Sequence, residues 1–270
     1  MSDTTSILPR AELADRYSAD ASIYDEIWSP VILPAAQSLV RALGLDGARR
    51  VLDVGAGAGA LTPTVCTRAH TASVTALDAS EGMLRIARTR HGLAAGVGDA
   101  VALPVPAESA DAVILAFVLF HLTAPHLALQ EAARVVRPEG RVGTVTWQGE
   151  RPERAGVLWD AALDAAGAPP AQQRGQQRGL DSPTAMRRHL ERVGLTVDGA
   201  WTQSIDHTFT LEEFWRLRTG AGNSRWRLGQ LAPDLRETLL RELRRSTAAL
   251  SPEDFRFRGS VVLAVATRPS

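Results

Sequence analysis

Short apolar runs alternate with amphipathic stretches along most of this chain, and the two patterns predict different elements. The apolar and alternating runs predict strands at 51–54, 73–78, within 96–106, and at 110–122, 141–147, 196–209 and 256–267. The stretches between them favour helices at 61–69, 80–90, 125–136, 151–166 and 183–193. Strands and helices therefore alternate, which is typical of an α/β fold built on a parallel sheet.

The stretch at 110–122 is the most apolar of the chain, and it predicts a central parallel strand buried on both faces. Helices are also predicted outside the alternating region. Two of them, at 9–28 and 34–43, precede the first strand, and 211–250 precedes the last one. Glycine and proline residues around 220–233 should break this last helical stretch.

Composition narrows the functional classes. The 270 residues are 45% hydrophobic, which suits one large α/β domain. The formal net charge is zero, which argues against a protein that grips nucleic-acid phosphates. All 30 basic residues are arginine. A P-loop lysine and a Schiff-base lysine are therefore excluded.

The single cysteine, Cys66, provides neither a disulfide framework nor a thiolate metal site. We expect it to be buried in the helix at 61–69. Residues 1–30 are polar and charged, and no apolar run approaches the roughly 18–20 residues of a membrane span. These features predict no secretory signal, no membrane contact and a cytoplasmic location.

The strand at 51–54 runs directly into three glycines, Gly55, Gly57 and Gly59, and then into the helix at 61–69. Glycine suits such a turn because it adopts unusual backbone angles and lets a ligand approach the bare backbone. Dinucleotides and S-adenosylmethionine are the two ligand classes that use this geometry. The glycine spacing alone leaves both of them open.

Two carboxylates follow at the ends of later predicted strands. Asp78 lies about 20 residues after Gly59, the spacing of an acid that hydrogen-bonds ribose hydroxyls. Asp99 follows the third strand, where it can accept a hydrogen bond from an adenine amine, because ligands of doubly wound folds bind at the carboxyl ends of the strands. Both positions support a nucleoside ligand without choosing between the two classes.

Four segments in order resemble the motifs of class I S-adenosylmethionine-dependent methyltransferases. The first is 51–59, which includes an acid, Asp53, two residues before the first glycine. The others are 76–84, 97–100 and 135–142. A dehydrogenase strand usually lacks that acid. Among members of the family, the chain is most similar to small-molecule enzymes such as the ubiquinone and menaquinone biosynthesis methyltransferases.

The resemblance implies a Rossmann-like seven-stranded sheet, antiparallel in its last strand and flanked by helices, within a single domain at 1–270. Its parts would be N-terminal helices with a flap at 1–48, a cofactor-binding core at 49–150, the rest of the core at 151–210 with a mobile loop at 167–182, a helical cap inserted at 211–252, and the last strand at 253–270.

The resemblance also implies S-adenosylmethionine as the cofactor, S-adenosylhomocysteine as its product, and no metal. Matched by position, the cofactor-binding residues would be Asp53, Gly55, Ala56, Gly57, Asp78, Ala79, Met83, Gly98, Asp99, Ala100 and Phe117. In this assignment the glycine turn faces the methionine part, Asp78 holds the ribose hydroxyls, and Asp99 reads the adenine edge.

Methyl transfer from a sulfonium is an in-line displacement that depends mainly on alignment. Where a hydroxyl is methylated, a base is commonly supplied. His121, just past the fourth strand, is the best candidate base, and a purely structural role is its alternative. The residues after that strand offer no cluster of oxygen ligands, so a metal-dependent mechanism is not expected.

The expected substrate is a small, partly apolar molecule, with O-methylation favoured over N- or C-methylation and a place in specialised metabolism inferred from family analogy. Aromatic residues and one arginine are the candidates for its pocket: Tyr17, Tyr24, Trp28, Phe120, His121, Trp147, Trp215, Arg218 and Trp226.

Other functions stay open at this point. The same scaffold can bind S-adenosylmethionine and catalyse a cyclisation or isomerisation without methyl transfer. An NAD(P)-dependent oxidoreductase is opposed by Asp53 and by the lack of lysine. A non-catalytic binding module would not need so complete a set of acids around the glycine turn. We expect a small-molecule substrate, no nucleic-acid partner, and either a monomer or a homodimer.

Overall fold

A computed structural model describes residues 9–172 and 179–270 of the chain. Its seven strands are β1 (Arg50–Val54), β2 (Ser73–Asp78), β3 (Ala94–Val97), β4 (Ala110–Ala116), β5 (Val136–Arg151), β6 (Thr196–Thr208) and β7 (Arg256–Thr267). They form one sheet with the order β3-β2-β1-β4-β5-β7-β6.

Most of the described helices flank this sheet, and three of them come between its last two strands in the chain. They are α1 (Arg10–Ile23), α2 (Ser29–Leu43), α3 (Thr62–Arg68), α4 (Glu81–His91), α5 (Pro125–Val135), α6 (Arg154–Ala165), α7 (Pro183–Arg192), α8 (Leu211–Gly220), α9 (Gly222–Gly229) and α10 (Pro233–Ala248). A π-helical turn, Tyr24–Trp28, joins α1 to α2, and a 3-10 turn, Leu119–His121, follows β4.

Strands β1 to β5 are parallel, and β7 lies antiparallel between β5 and β6. The carboxyl ends of β1, β2, β3 and β4 therefore meet at one edge of the sheet. This arrangement confirms the predicted Rossmann-like sheet with an antiparallel last strand. It also explains why the glycine turn after β1 and the acids after β2 and β3 come together.

The core lies on both faces of the sheet. Successive side chains of β4 alternate between them, with Ile114 in one apolar cluster and Val113 and Leu115 in the other. All three side chains are fully buried. Helix α2 covers one face through Leu39 and Leu43, and α5 covers the other. A strand covered on both sides accounts for the continuous apolar run in its sequence.

Helices α8, α9 and α10 come between β6 and β7 in the chain, and their buried apolar side chains belong to the same cluster as Leu39 and Leu43 of α2. The Trp215 indole nitrogen donates to the Thr247 hydroxyl at 3.0 Å. The Trp215 ring packs edge-on against Trp159 of α6 with 5.0 Å between ring centroids. This packing anchors the three helices to α6, and we refer to α8, α9 and α10 together as the cap.

The structure corrects the predicted end of the fourth strand. The run at 110–122 was expected to be one strand, but β4 ends at Ala116. Phe117 follows with a left-handed φ of 59°, and a residue with that backbone conformation cannot continue a strand. Leu119 and Phe120 are nonetheless buried, so their apolar character reflects packing of the 3-10 turn.

The structure also differs from the sequence predictions at the start of α2 and at Cys66. The helix expected at 34–43 begins earlier, at Ser29, so Pro34 lies inside α2. The π-helical turn continues the chain from α1 into α2 without a loop. Cys66, expected to be buried, is exposed, because the buried face of the short helix α3 is formed by Thr62 and Val65.

The loop predicted at 167–182 includes residues 173–178, which lie outside the described part of the chain. Across 9–172 and 179–270, no helix combines the length and the apolar character that crossing a membrane requires.

Candidate functional site

A cleft of about 620 Å³ opens at the carboxyl edge of the sheet, above β1, β2 and β4. We call it the cofactor cleft. Every residue that the family resemblance assigned to the cofactor lines it: Asp53, Gly55, Ala56, Gly57, Asp78, Ala79, Met83, Gly98, Asp99, Ala100 and Phe117. These residues come from four strand ends and one helix, and the parallel sheet brings them together.

The glycine turn is fixed against the neighbouring strand. The backbone amides of Gly55 and Ala56 both donate to the Leu77 carbonyl, at 2.7 and 3.1 Å. Gly55 has a φ of 68°. A Cβ at Gly55 would lie 2.1 Å from a methyl group of Val118. Glycine is therefore required here both for backbone conformation and for close packing.

Asp78 connects the turn to the start of α4. Its carboxylate accepts hydrogen bonds from the backbone amides of Gly57 and Ser80, each at 2.8 Å. Burial raises the pKa of Asp78, and the hydrogen bonds from Ser80 and Gly57 partly oppose that shift. Each oxygen keeps lone pairs for further donors, and the two hydroxyls of a ribose would supply them.

Asp53 lies deeper in the same wall and is only 1% exposed. Within the described chain, its Oδ2 atom is buried without a hydrogen-bond partner. Burial, and to a smaller extent the nearby Asp78, raise the pKa of Asp53 to about 7. A buried carboxylate at the edge of a cleft favours a cationic ligand group. The ammonium group of S-adenosylmethionine fits this requirement, so the residues present suit that cofactor.

The far end of the cofactor cleft has the features of an adenine site. Met83 is almost fully buried, and it lines the cleft together with Ala79. The Asp99 carboxylate accepts a hydrogen bond from the Val101 amide at 3.1 Å and also pairs with the Arg10 side chain. Sequence reasoning did not identify Arg10, since an isolated arginine on a helix carries no signal that it reaches a distant strand.

Helix α1 closes the cleft from the opposite side. Its Tyr17 hydroxyl is hydrogen-bonded to His121 Nε2 at 3.0 Å. The Tyr17 ring also packs edge-on against Tyr24, with 5.4 Å between centroids. All three side chains line the cofactor cleft. The structure thus brings the candidate base into contact with an aromatic hydroxyl from the N-terminal helix.

A second cavity, of about 680 Å³, lies beyond this aromatic wall, between α1, the cap and the end of β5. We call it the distal chamber. Leu13, Tyr17 and Tyr24 line both cavities. Five of the predicted substrate-pocket residues line the chamber: Tyr17, Tyr24, Trp28, Phe120 and Arg218.

Three other predicted pocket residues line neither of these two cavities among the described residues. Trp147 is buried beneath the chamber against Trp28 and Phe257. Trp215 is buried against Trp159 and Thr247. The Arg16 guanidinium lies over the Trp226 ring, with 4.9 Å between the guanidinium carbon and the ring centroid. A tryptophan pattern in sequence does not distinguish a cavity wall from the packing behind it.

In the described part of the chain, no group of three or more His, Cys, Asp or Glu side chains is arranged to hold a metal ion. The polar atoms of the cofactor cleft instead converge as single carboxylates and backbone amides. This set is suited to an organic cation with hydroxyl groups.

The sheet order, the glycine turn and its carboxylates together define the class I S-adenosylmethionine-dependent methyltransferase fold. A family model described as a methyltransferase domain matches residues 52–143, from β1 into β5. This part of the chain is similar to that family.

Individual relatives agree with this assignment. The chain is 35% identical over 144 residues to a demethylmenaquinone methyltransferase of Tropheryma whipplei, a match that covers 49% of this chain and 57% of the relative. It is 38% identical over 112 residues to a malonyl-acyl carrier protein O-methyltransferase of Methylococcus capsulatus, covering 40% of each. The chain thus spans about half the length of the curated relatives it matches.

Solved structures share the whole fold at low sequence identity. One of them, the cyclase SpnF, matches with a TM-score of 0.59 and 16% identity, over 97% of both chains. Similarity at this level shows the fold alone. It leaves the reaction to be argued from the residues of the site.

Proposed function

We propose that this protein binds S-adenosylmethionine in the cofactor cleft and transfers its methyl group to a small, partly apolar metabolite, with S-adenosylhomocysteine as the product. The observation that carries the proposal is the pair of buried acids in one wall. Asp78 is tied to the glycine turn, and Asp53 presents a buried oxygen that a cationic amino group would satisfy. The relatives support the proposal, since both carry methyltransferase names.

When bound, the cofactor supplies an electrophilic methyl group on a positively charged sulfur. The protein contributes alignment, exclusion of water and a proton acceptor. Helix α1 covers the cleft, so the methyl group would be shielded from solvent. Displacement in a closed site needs little more than a nucleophile held in line.

We favour a hydroxyl as the acceptor because His121 lines the cofactor cleft beside Tyr17. In the proposed step, the acceptor oxygen forms its bond to the methyl carbon as the sulfur–methyl bond breaks. The hydroxyl proton passes to His121, either directly or through the Tyr17 hydroxyl. The O-methyltransferase name of the Methylococcus capsulatus relative is consistent with this choice. We place the reaction in specialised metabolism by analogy with other small-molecule members of the family.

The test is calorimetric titration of the purified full chain with S-adenosylmethionine, S-adenosylhomocysteine and NADH, repeated with Asp78→Ala. We expect both adenosyl ligands to bind and the Asp78 variant to lose about 100-fold in affinity, because hydrogen bonds to a carboxylate contribute roughly 1.5–3 kcal/mol each. Asp46→Ala is the matched control, since Asp46 is exposed and lies outside both cavities.

Binding of NADH in place of the adenosyl ligands would overturn the proposal. Equal affinities in the Asp78 and Asp46 variants would also contradict it, because the ribose would then lie elsewhere.

A further inference from the structure

The distal chamber is separated from the cofactor cleft only by side chains of α1 and the π-helical turn. Leu13, Tyr17 and Tyr24 line both cavities. A molecule in the chamber would therefore lie against the wall where Tyr17 meets His121. This inference rests on the proposed function, since it concerns the molecule that receives the methyl group.

One side of the chamber is aromatic. Trp28 lies nearly parallel to Phe209, with 6.4 Å between centroids and 14° between planes, and it meets Phe257 edge-on at 5.3 Å. Phe120 also lines the chamber. Aromatic walls of this kind favour flat apolar ligands, because ring faces and edges pack well against them.

The opposite side is charged, and two of its carboxylates also contact arginines outside the lining, Asp20 with Arg225 and Asp160 with Arg227. The charged residues lining the chamber are Arg16, Asp20, Glu150, Glu153, Asp160 and Arg218.

Both of these arginines already contact acids. Arg218 pairs with Glu153 and lies 3.6 Å from Asp160, and Arg16 pairs with Glu12 at 2.8 Å. An anionic ligand would have to displace one of these pairs while lying next to the remaining carboxylates. The chamber therefore disfavours carboxylate and phosphate groups, because neither lining arginine can bind them without breaking an existing ion pair.

Two cap residues that line this chamber each have a buried polar atom without a hydrogen-bond partner among the described residues. One is the hydroxyl of Ser224, a residue only 7% exposed in the first turn of α9. The other is Nε of Arg218. Both residues line the chamber. An N–H donor and a hydroxyl left without partners in a buried wall are costly unless a ligand satisfies them.

We propose that the distal chamber binds the methyl acceptor, and that this acceptor is an uncharged, ring-containing molecule whose far end carries a carbonyl or amide oxygen. The ring packs against Trp28 and its aromatic neighbours. The oxygen accepts hydrogen bonds from Ser224 and Arg218. The hydroxyl to be methylated is at the near end, which extends past Tyr17 into the cofactor cleft, where His121 lies.

Three probes of one shape test this assignment: 6-hydroxy-2-naphthamide, 6-hydroxy-2-naphthoate and 2-naphthol. Each is titrated calorimetrically into the full chain saturated with S-adenosylhomocysteine. We expect the amide to bind about tenfold more tightly than the carboxylate. We also expect Ser224→Ala to weaken amide binding by roughly three- to tenfold, as for loss of one hydrogen bond, with 2-naphthol unchanged. Ser246→Ala on α10 is the control, because its hydroxyl bonds within its own helix.

Three outcomes would overturn the inference while S-adenosylhomocysteine still binds. They are tighter or equal binding of the carboxylate, failure of all three probes to bind, and an equal loss for all three probes in Ser224→Ala. Failure of S-adenosylhomocysteine itself to bind would instead refute the proposed function.

Discussion

Asp53 shows how one buried carboxyl links stability to ligand binding. In the unfolded chain it ionises near pH 3.9, whereas in the folded protein burial raises its pKa to about 7. Between these values the unfolded state has lost a proton that the folded state retains. The free energy of unfolding should therefore fall as pH rises from about 4 to about 7.

Asp53→Asn should remove this pH-dependent loss. Because the amide does not ionise, the variant should gain stability relative to the unmodified protein as pH rises, by a few kcal/mol near pH 7.5. Urea unfolding of both proteins at several pH values between 4.5 and 7.5 measures the difference. Asp46→Asn, at an exposed position, is the control substitution. A pH-independent gain in the Asp53 variant would mean that its carboxyl ionises normally in the folded state.

Gly55 is required both for its left-handed backbone conformation and for close packing against Val118, and the two contributions to stability can be measured separately. Gly55→Ala should destabilise the protein through the left-handed φ, at about 1–2 kcal/mol. The clash with Val118 should add about 1–3 kcal/mol. Gly47→Ala isolates the first cost, since Gly47 has a φ of 77° and nothing within 4 Å of an added Cβ. Chemical denaturation of both variants gives the comparison.

The contact with Val118 can be checked by removing it. Val118→Ala in the Gly55→Ala background should recover most of the excess cost. Equal stabilities of the two single glycine variants would show that the packing around the turn relaxes freely.

At the scale of elements, α1 is the segment whose position matters most to the site. It docks on the start of α4, where the Ser18 hydroxyl is hydrogen-bonded to that of Ser80 at 2.8 Å. The Gly82 amide donates to Ser18 at 3.2 Å. A Cβ at Gly82 would lie 2.6 Å from backbone atoms of Ser18. The absence of a side chain at Gly82 therefore allows α1 to approach closely enough for Tyr17 to reach His121.

Gly82→Ala should push α1 away from α4 without unfolding the sheet. We expect faster hydrogen–deuterium exchange across 10–28 and weaker binding of S-adenosylhomocysteine, because α1 forms one wall of its cleft. Gly229→Ala provides the control, since nothing lies within 4 Å of a Cβ there. Unchanged exchange in α1 would show that the added methyl group is accommodated without displacing the helix.

For the whole molecule, periodicity and glycine spacing predicted the sheet and the cofactor cleft because both depend on local rules. A buried parallel strand must be apolar, and a strand that ends in glycines must turn. The acids after β2 and β3 then meet those glycines through the geometry of a parallel sheet alone.

Contacts between distant segments could not be predicted in this way. Arg10 with Asp99, Tyr17 with His121, and Ser224 in the chamber wall all depend on how helices outside the sheet pack against it. Sequence patterns indicate which face of a helix is buried, but not which neighbour covers it. For the same reason, the sequence could not distinguish the aromatic residues that line the distal chamber from those that pack behind them.

A wall shared by two cavities also governs the order of events in a catalytic cycle. Leu13 and Tyr17 of α1, with Tyr24 just beyond it, line both cavities. In the proposed reaction, a movement of this segment that released the spent cofactor would also open the chamber proposed for the acceptor. Turnover would then be paced by one gate, with both products leaving in the same opening.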